Sequence, residues 1–168
     1  MTPRIDLLAS DSASAELKIL LVEDSLGDAQ AFKRAIKRHS PAASVCHVTS
    51  AEEAIAIFEF GCDFGLCIFD INLPRVSGLD LLAKVKPWRQ SLPMMILSSS
   101  SSAAEITRAY ALGADGYLIK PFDFGEYESI ARFVCDCWFN GNPLPEAQAA
   151  SLLVPPADLS RASSLGNA

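Results

Sequence analysis

Acidic residues follow two short apolar stretches of the chain. Asp70 comes directly after the apolar residues 65–69, and Glu23 and Asp24 come directly after the mostly apolar residues 17–22. Runs of this length and content are typical of strands that are buried on both faces of a parallel sheet. Because open α/β sheets place their ligands at the carboxyl ends of the strands, we expect these three carboxylates to lie close together.

Two further strand ends supply a hydroxyl group and a cation. Ser98 follows residues 93–97, and Lys120 follows residues 115–119. Neighbouring carboxylates repel one another, and a hard divalent cation relieves that repulsion. Mg²⁺ suits such a site best, since it prefers oxygen ligands and keeps waters and phosphate oxygens in its shell.

These groups together favour the transfer of a phosphoryl group. Asp70 would act as the nucleophile and form an aspartyl phosphate. Lys120 would neutralise charge, and Ser98 would donate a hydrogen bond to a phosphoryl oxygen. Each group alone has a simpler interpretation: the acid pair as a solvated strand end, Lys120 as an exposed lysine, and the serines at 98–102 as a loop with one helix cap.

The composition is that of a soluble globular domain. The chain has 168 residues, half of them hydrophobic and a fifth charged, with a formal net charge of −6. This length favours one domain, and the lack of a dense Lys/Arg cluster argues against binding to nucleic acid or to an anionic membrane surface. No apolar run reaches the length that crosses a membrane. The five cysteines include no C-x-x-C motif, so neither a disulfide framework nor a zinc site is indicated, and we expect a cytoplasmic location.

Strand and helix signals alternate through the middle of the chain. We expect a flexible leader over residues 1–16, a compact domain over 17–140, and an extended or disordered tail rich in Pro, Ala and Ser over 141–168. Capping boxes at Ser50/Glu53 and Ser102/Glu105 mark two helix starts. Five strand–helix units in order predict an α/β fold whose parallel sheet is covered on both faces. The predicted strands are 17–22, 44–48, 65–70, 93–97 and 115–119, and the predicted helices are 27–38, 51–60, 78–86, 103–111 and 124–139.

These motifs together resemble the receiver domain of two-component response regulators. The resemblance covers residues 17–139. It includes five strand–helix units in order, and its motifs are LLVEDS ending at Ser25, IFDINLP at 68–74, Gly78, LSSS at 97–100 and GADGYLIKPF at 113–122. Each motif alone is weak, but the combination is specific.

The resemblance implies a fold and a set of site residues. The fold would be flavodoxin-like, a doubly wound (βα)5 parallel sheet with strand order 2-1-3-4-5. Asp70 would be the phospho-acceptor, with Mg²⁺ held by Glu23, Asp24, Asp70 and the backbone carbonyl of Asn72. Three further roles are implied: Ser98 as the switch hydroxyl, Tyr117 as the aromatic switch residue, and Lys120 as the lysine of the site.

The resemblance also implies a partner and an output. A sensor histidine kinase would supply the phosphoryl group, and within the family the chain looks like the small stand-alone regulators that are partnered with bacterial phytochrome kinases. We expect no output domain after residue 140, so the phosphorylated surface itself would carry the signal. The chain would not be an enzyme beyond accepting the phosphoryl group and losing it slowly.

Two other functions compete with this interpretation. A phosphatase of the haloacid dehalogenase type also forms an aspartyl phosphate on an α/β sheet, but it needs a second acid two residues after the nucleophile, where this chain has Asn72. An inert interaction domain with an unused acidic pocket is the other possibility. Phosphoryl uptake separates the three functions.

The final predicted helix carries more apolar residues than one buried stripe requires. Phe133 and Cys137 lie away from parts of the stripe that faces the sheet, and Phe124 stands at the helix start. The simpler interpretation is a broad core stripe with some exposure at its edges. We expect these three residues to form a patch on the face made by the fourth helix, the fifth strand and the fifth helix, and exposed patches of this kind mark protein contacts. The chain would form a two-fold homodimer through this face, because closed two-fold dimers are the commonest assembly.

Overall fold

A five-stranded parallel sheet forms the centre of the molecule. The computed structural model describes residues 16–141 and 152–156, so most of the predicted leader and tail lie outside the described residues. The strands lie in the order β2-β1-β3-β4-β5, which confirms the predicted flavodoxin-like doubly wound topology. They are β1 (Lys18–Val22), β2 (Ser44–Val48), β3 (Leu66–Phe69), β4 (Met94–Ser98) and β5 (Gly116–Ile119).

Helices cover both faces of the sheet. They are α1 (Leu26–His39), α2 (Ala51–Glu59), α3 (Gly78–Val85), α4 (Ala103–Ala111) and α5 (Tyr127–Arg132). One core lies under α1 and α5 and receives Ile19 and Leu21 of β1. The other lies under α2, α3 and α4 and receives Leu20 and Val22. Because successive residues of one strand enter different cores, β3 is apolar throughout and β1 is apolar after Lys18, as the sequence indicated.

The strand register brings the predicted site residues together at the carboxyl ends of the strands. Val22 is paired with Phe69, and Phe69 with Ile96. Glu23 and Asp70 are therefore the first residues beyond two adjacent strands. The amide of Asp70 donates to the carbonyl of Val22 at 2.9 Å.

Serine side chains cap three of the helices. The hydroxyls of Ser25, Ser50 and Ser77 each accept a hydrogen bond from the backbone amide three residues later. The predicted cap at Ser102 is wrong, because its side chain makes no capping bond. The amide of Ser102 donates instead to the hydroxyl of Ser100, so the serine run bonds locally to itself.

The final helix differs from its prediction. A 3₁₀ turn (Phe124–Glu126) precedes α5, and a π-helical segment (Phe133–Phe139) follows it. Phe133 is only 5% exposed and belongs to the core under α1 and α5, so its prediction as a partner-surface residue is wrong. That prediction assumed α-helical spacing, which does not hold from Phe133 onward.

The other two predicted surface residues lie elsewhere than expected. Phe124 is exposed, but its ring edge would lie 3.1 Å from a β-carbon at Gly27, so it faces α1 rather than α4. Cys137 is half-buried and packs against the core under α1 and α5. The face formed by α4, β5 and α5 is therefore not built from the predicted three residues.

A short C-terminal segment, residues 152–156, lies along β5, and we name it the strap. Leu153 forms an isolated antiparallel bridge with Leu118 of β5. Composition predicted an extended or disordered tail, and Leu153 and Val154 within it are docked on β5.

Two general features of the described residues agree with the composition. All five cysteines are free; Cys67 and Cys135 are buried, whereas Cys46 and Cys62 are exposed. No helix in residues 16–141 or 152–156 combines the length and apolar character needed to cross a bilayer.

We predict that Gly78→Ala destabilises the fold at the site. A β-carbon at Gly78 would lie 1.9 Å from the carbonyl oxygen of Asp70, and the amide of Gly78 is held by the carbonyl of Ile71 at 3.0 Å. The backbone must move to admit the methyl group, so the free energy of unfolding should fall by about 3 kcal/mol in urea denaturation. Gly65→Ala is the matched control, since its β-carbon would meet a side-chain atom of Leu17 at an ordinary 3.5 Å. Equal stability of the two variants would contradict the prediction.

Candidate functional site

Three carboxylates meet at the carboxyl ends of β1 and β3. Ligand oxygens of Glu23, Asp24 and Asp70 all lie within 4.8 Å of one another, as the sequence predicted. Glu23 and Asp70 are buried and Asp24 is exposed, so the cluster opens toward solvent on one side. A set of carboxylate oxygens with one open side fits a hard divalent cation that retains water ligands.

Lys120 lies among these acids. Its Nζ is 2.6 Å from Oε2 of Glu23, 3.0 Å from Oδ2 of Asp70 and 3.4 Å from Oδ2 of Asp28, and its side chain is 10% exposed. Burial by itself lowers the pKa of Lys120, but the hydrogen bond and charge of Glu23, together with Asp70, raise it above its ordinary value. Lys120 is therefore a buried, charged lysine rather than an exposed strand-end residue.

Glu23 is the most deeply placed acid of the cluster. It is 1% exposed, and its Oε1 accepts a hydrogen bond from the amide of Ser25 at 2.9 Å. Burial raises the pKa of Glu23 to about 7; the hydrogen bond from Lys120 opposes this effect and the charge of Asp70 adds to it. In the absence of a metal ion, Glu23 therefore takes up a proton near neutral pH, and this lowers the negative charge of the three acids.

Asp28 is a site residue that sequence reasoning missed as such. Its Oδ1 accepts a hydrogen bond from the hydroxyl of Tyr127 at 2.8 Å, and its Oδ2 faces Lys120. Burial alone would raise the pKa of Asp28, but the hydrogen bond from Tyr127 and the charge of Lys120 lower it below its usual value. The sequence showed Asp28 only as part of a helix-start pattern after Ser25, because its partners lie far away along the chain.

Asn72 follows the acceptor strand and is exposed. Its backbone amide donates a hydrogen bond to Oδ1 of Asp70 at 3.3 Å, which helps to orient that carboxylate. The contribution of the Asn72 carbonyl to metal binding stays a prediction.

Ser98 and Tyr117 lie in a hydrogen-bonded chain beside the acids. Ser98 is fully buried; its carbonyl accepts from the amide of Lys120 at 2.8 Å, and its hydroxyl accepts from the amide of Ser100 at 3.2 Å. The hydroxyl of Tyr117 donates to the carbonyl of Ser100 at 2.8 Å. The side chain of Tyr117 is completely buried in this arrangement.

A family comparison identifies this arrangement. The family model for the response regulator receiver domain matches residues 19–132, which include β1 through α5. The chain belongs to the response regulator receiver domain family.

Curated relatives of this receiver domain include transcriptional and response regulators. The cell cycle transcriptional regulator CtrA of Caulobacter vibrioides is 34% identical over 116 residues, which are 69% of this chain and 48% of that protein. The response regulator protein PmrA of Pseudomonas aeruginosa is 30% identical over 142 residues, which are 84% of this chain and 62% of that protein. The chain thus spans about half to two thirds of the length of these relatives.

Solved receiver structures share the fold. The phosphorylated cyanobacterial phytochrome response regulator RcpA matches with a TM-score of 0.70 and 26% identity, over 79% of this chain and 100% of that chain. A receiver domain from Rhodospirillum rubrum matches with a TM-score of 0.63 and 30% identity, over 77% of this chain and 98% of that chain. The Mn²⁺-bound form of response regulator Rcp1, at 24% identity, has a TM-score of 0.68 over 77% of this chain and 99% of that chain.

Membership of the receiver family gives the acidic cluster a general role. Receiver domains are phosphoryl-accepting signalling modules that bind a divalent metal in their acidic pocket and receive the phosphoryl group from a histidine kinase. The acid trio and Lys120 occupy that pocket here.

We predict that Tyr127→Phe slows phosphoryl uptake by this receiver. Loss of the hydroxyl leaves Oδ1 of Asp28 without its donor, so the carboxylate can draw Lys120 away from Asp70. The rate of uptake from acetyl phosphate with Mg²⁺, followed by intact mass, should fall severalfold, and the free energy of unfolding should fall by about 1 kcal/mol.

Tyr110→Phe is the matched control for that experiment. It also removes one hydroxyl hydrogen bond, to the carbonyl of Val154, but it lies away from the acids. Its stability should change by a similar amount while its uptake rate stays that of the wild type. Equal uptake rates in both variants would mean that Tyr127 contributes to stability alone.

Proposed function

We propose that this chain is a phosphorylation-activated signalling module that accepts a phosphoryl group on Asp70 from a sensor histidine kinase. One observation carries the proposal: a buried carboxylate at the end of β3 lies 3.0 Å from a lysine whose side chain is largely buried, and beside two further acids. This combination offers a nucleophile, a cation and a place for a metal at one point. The cytoplasmic location expected from the sequence is part of the proposal.

The proposed reaction is a transfer between two side chains. An oxygen of Asp70 forms a bond to the phosphorus of a phosphohistidine, and the phosphorus–nitrogen bond of the donor breaks. The electron pair of that bond stays on the imidazole nitrogen. The ammonium of Lys120 neutralises charge on the oxygens that are transferred, and the buried surroundings of Asp70 strengthen this interaction.

Glu23, Asp24, Asp70 and the carbonyl of Asn72 would hold the metal. Mg²⁺ in this place supplies positive charge that offsets the repulsion between the phosphoryl group and the carboxylates. The pocket opening at the exposed Asp24 supports water ligands on that side. Asp24 is therefore the acid that we expect to bind the ion most directly.

The proposed switch uses Ser98 and Lys120 as donors to the new oxygens. Phosphorylation adds about −1.5 to −2 charges to a site that already holds several acids, so donors must tighten around it. The hydroxyl of Ser98 accepts a hydrogen bond from the amide of Ser100, and it would donate its own proton when it turns toward a phosphoryl group. Because Ser100 also binds Tyr117, this motion would reach the aromatic residue without a large rotation of its ring.

The competing functions gain no support. A haloacid dehalogenase-type phosphatase needs an acid at position 72, and this chain has Asn72 there. The match to the receiver family and the completeness of the acidic pocket also argue against an inert module.

The kinase partner is proposed to be a bacteriophytochrome. Support comes from the resemblance to RcpA, a solved protein described as a phytochrome response regulator, at 26% identity over the whole of its length. Transfer from a purified bacteriophytochrome kinase should be at least tenfold faster than from an unrelated histidine kinase of similar autophosphorylation level. Equal transfer rates from both kinases would contradict this partner.

We still propose that the homodimer forms through the face of α4, β5 and α5, but not through the three residues that the sequence predicted for it. Phe133 belongs to the core, and Phe124 faces α1. The remaining feature of the face is β5, an edge strand of the sheet, and edge strands readily pair with another chain. The strap lies on this edge, so the dimer requires that the strap leave it.

We predict that Asp70→Asn abolishes phosphoryl uptake and leaves the fold intact. Asn is nearly isosteric with Asp and relieves repulsion with Glu23 and Asp24, so thermal stability without Mg²⁺ should be equal or higher. Incubation with Mg²⁺ and acetyl phosphate, followed by intact mass, should give one adduct in the wild type and none in the variant. Asp80→Asn is the matched control, since Asp80 is exposed and paired with Arg108.

Results from this experiment, from an assay of phosphate release and from a Ser98 variant are decisive. Full phosphorylation of Asp70→Asn would overturn the acceptor assignment, and phosphate release from many esters would indicate the phosphatase. Ser98→Ala should still take up the phosphoryl group but show a smaller change in amide chemical shifts around Tyr117. A full response in Ser98→Ala would contradict the proposed switch.

A further inference from the structure

The strap completes the sheet on its open side. The amide of Val154 donates to the carbonyl of Tyr117 at 2.9 Å, and Leu153 lies opposite Leu118 in an antiparallel bridge. β5 is the last strand in the order β2-β1-β3-β4-β5, so the backbone groups on its outer side have no strand partner within the described sheet. The strap supplies that partner in part.

Side chains of α4 and β5 fix the strap from both faces of the sheet. The hydroxyl of Tyr110 donates to the carbonyl of Val154, so both backbone polar groups of Val154 are paired. Leu153 packs against the core under α1 and α5, and Val154 packs against the core on the opposite face. The segment therefore straddles the sheet edge rather than lying on one face.

Gly116 leaves room for the strap. A β-carbon at Gly116 would lie 3.2 Å from Cδ1 of Leu153, which is tighter than ordinary van der Waals contact. The neighbouring Leu152 lines a groove of about 410 Å³ together with Lys120, Phe122 and Ser129. The strap thus begins close to the loop that carries the lysine of the site.

We propose that residues 152–154 act as an intramolecular strand that occupies the outer edge of β5 and keeps a second copy of the chain from that edge. This inference goes beyond the proposed function, because it concerns the C-terminal segment and holds whether or not Asp70 accepts a phosphoryl group. The occupant is the chain's own segment, bound in cis to the domain that precedes it.

Chain length and concentration favour binding in cis. Eleven residue steps separate Gly141 from Leu152, and a fully extended chain of that length spans roughly 36 Å. A segment tethered to its own domain by about ten residues has an effective concentration in the millimolar range. A second copy at tens of micromolar competes against the strap at a disadvantage of about a hundredfold unless it makes many more contacts.

Leu153→Asp in the full chain tests the exclusion of a second copy. The new carboxylate cannot stay against the apolar core, so the strap should leave β5 and the apparent dissociation constant of the dimer should fall at least tenfold by light scattering. Pro156→Asp is the matched control, since it adds the same charge at an exposed position of the same segment. Under the same conditions, the dimers of the wild type and of Pro156→Asp should be at least tenfold weaker than the dimer of Leu153→Asp.

Hydrogen exchange at the amide of Val154 reports docking independently of assembly. This amide should be protected in the wild type and in Pro156→Asp, and it should exchange at the rate of an unstructured chain in Leu153→Asp. Tyr110→Phe, which loses one hydrogen bond to the strap and keeps the packing, should exchange about fivefold faster than the wild type.

Each remaining outcome overturns the proposal. An unprotected Val154 amide in the wild type means that the strap is not docked. A Leu153→Asp chain that exchanges freely yet stays monomeric, with and without acetyl phosphate, means that the strap excludes nothing. A wild-type dimer that Leu153→Asp converts to monomers means that the segment binds a second copy in trans.

Discussion

The ammonium group of Lys120 is the interaction on which the site depends. Its partners Glu23, Asp70 and Asp28 come from the ends of β1 and β3 and from the first turn of α1, while Lys120 itself follows β5. Carboxylates this close, two of them buried, would repel one another strongly without a central cation, and an unpaired buried lysine would be equally unfavourable. The ammonium group and the carboxylates therefore offset the cost of burying one another's charge. Their contacts join the ends of β1, β3 and β5 to the first turn of α1. The register of the parallel sheet delivers these groups to one point before any metal binds.

Hydrogen bonds continue from this network to the far edge of the sheet. The amide of Lys120 binds the carbonyl of Ser98, the hydroxyl of Ser98 binds the amide of Ser100, and the carbonyl of Ser100 binds the hydroxyl of Tyr117. The carbonyl of Tyr117 then binds the amide of Val154 in the strap. These consecutive hydrogen bonds, made by β4, β5 and the serines at 98–102, join the acidic pocket to the strap. A change in the donors around Asp70 has a short physical route to the edge of the sheet.

Sequence patterns predicted the parts of this molecule that depend on local chemistry. Apolar runs that end in acids identified β1 and β3 and brought Glu23, Asp24 and Asp70 together, because burial on both faces leaves a clear signal. The role of Asp28 could not be found this way, since its partner Tyr127 is 99 positions away. Phe133 was misplaced because helical spacing was extended into a segment with a wider turn. The strap was missed because two leucines and a valine in a tail rich in Pro and Ala carry no periodicity, and only the tertiary contact gives them a place.

The burial of the cysteines has a consequence for the chemical reactivity of the protein. Cys67 lies in β3, three residues before Asp70, and burial raises the pKa of its thiol to about 12. The thiolate is the nucleophile that attacks alkylating reagents, so Cys67 reacts only when β3 is exposed, whereas Cys46 and Cys62 are open to reagent in the folded protein. The labelling rate of Cys67 therefore measures how often β3, the strand that precedes Asp70, becomes exposed to solvent. Cys67 is thus a natural probe of the local stability of β3, and no engineered cysteine is needed to measure it.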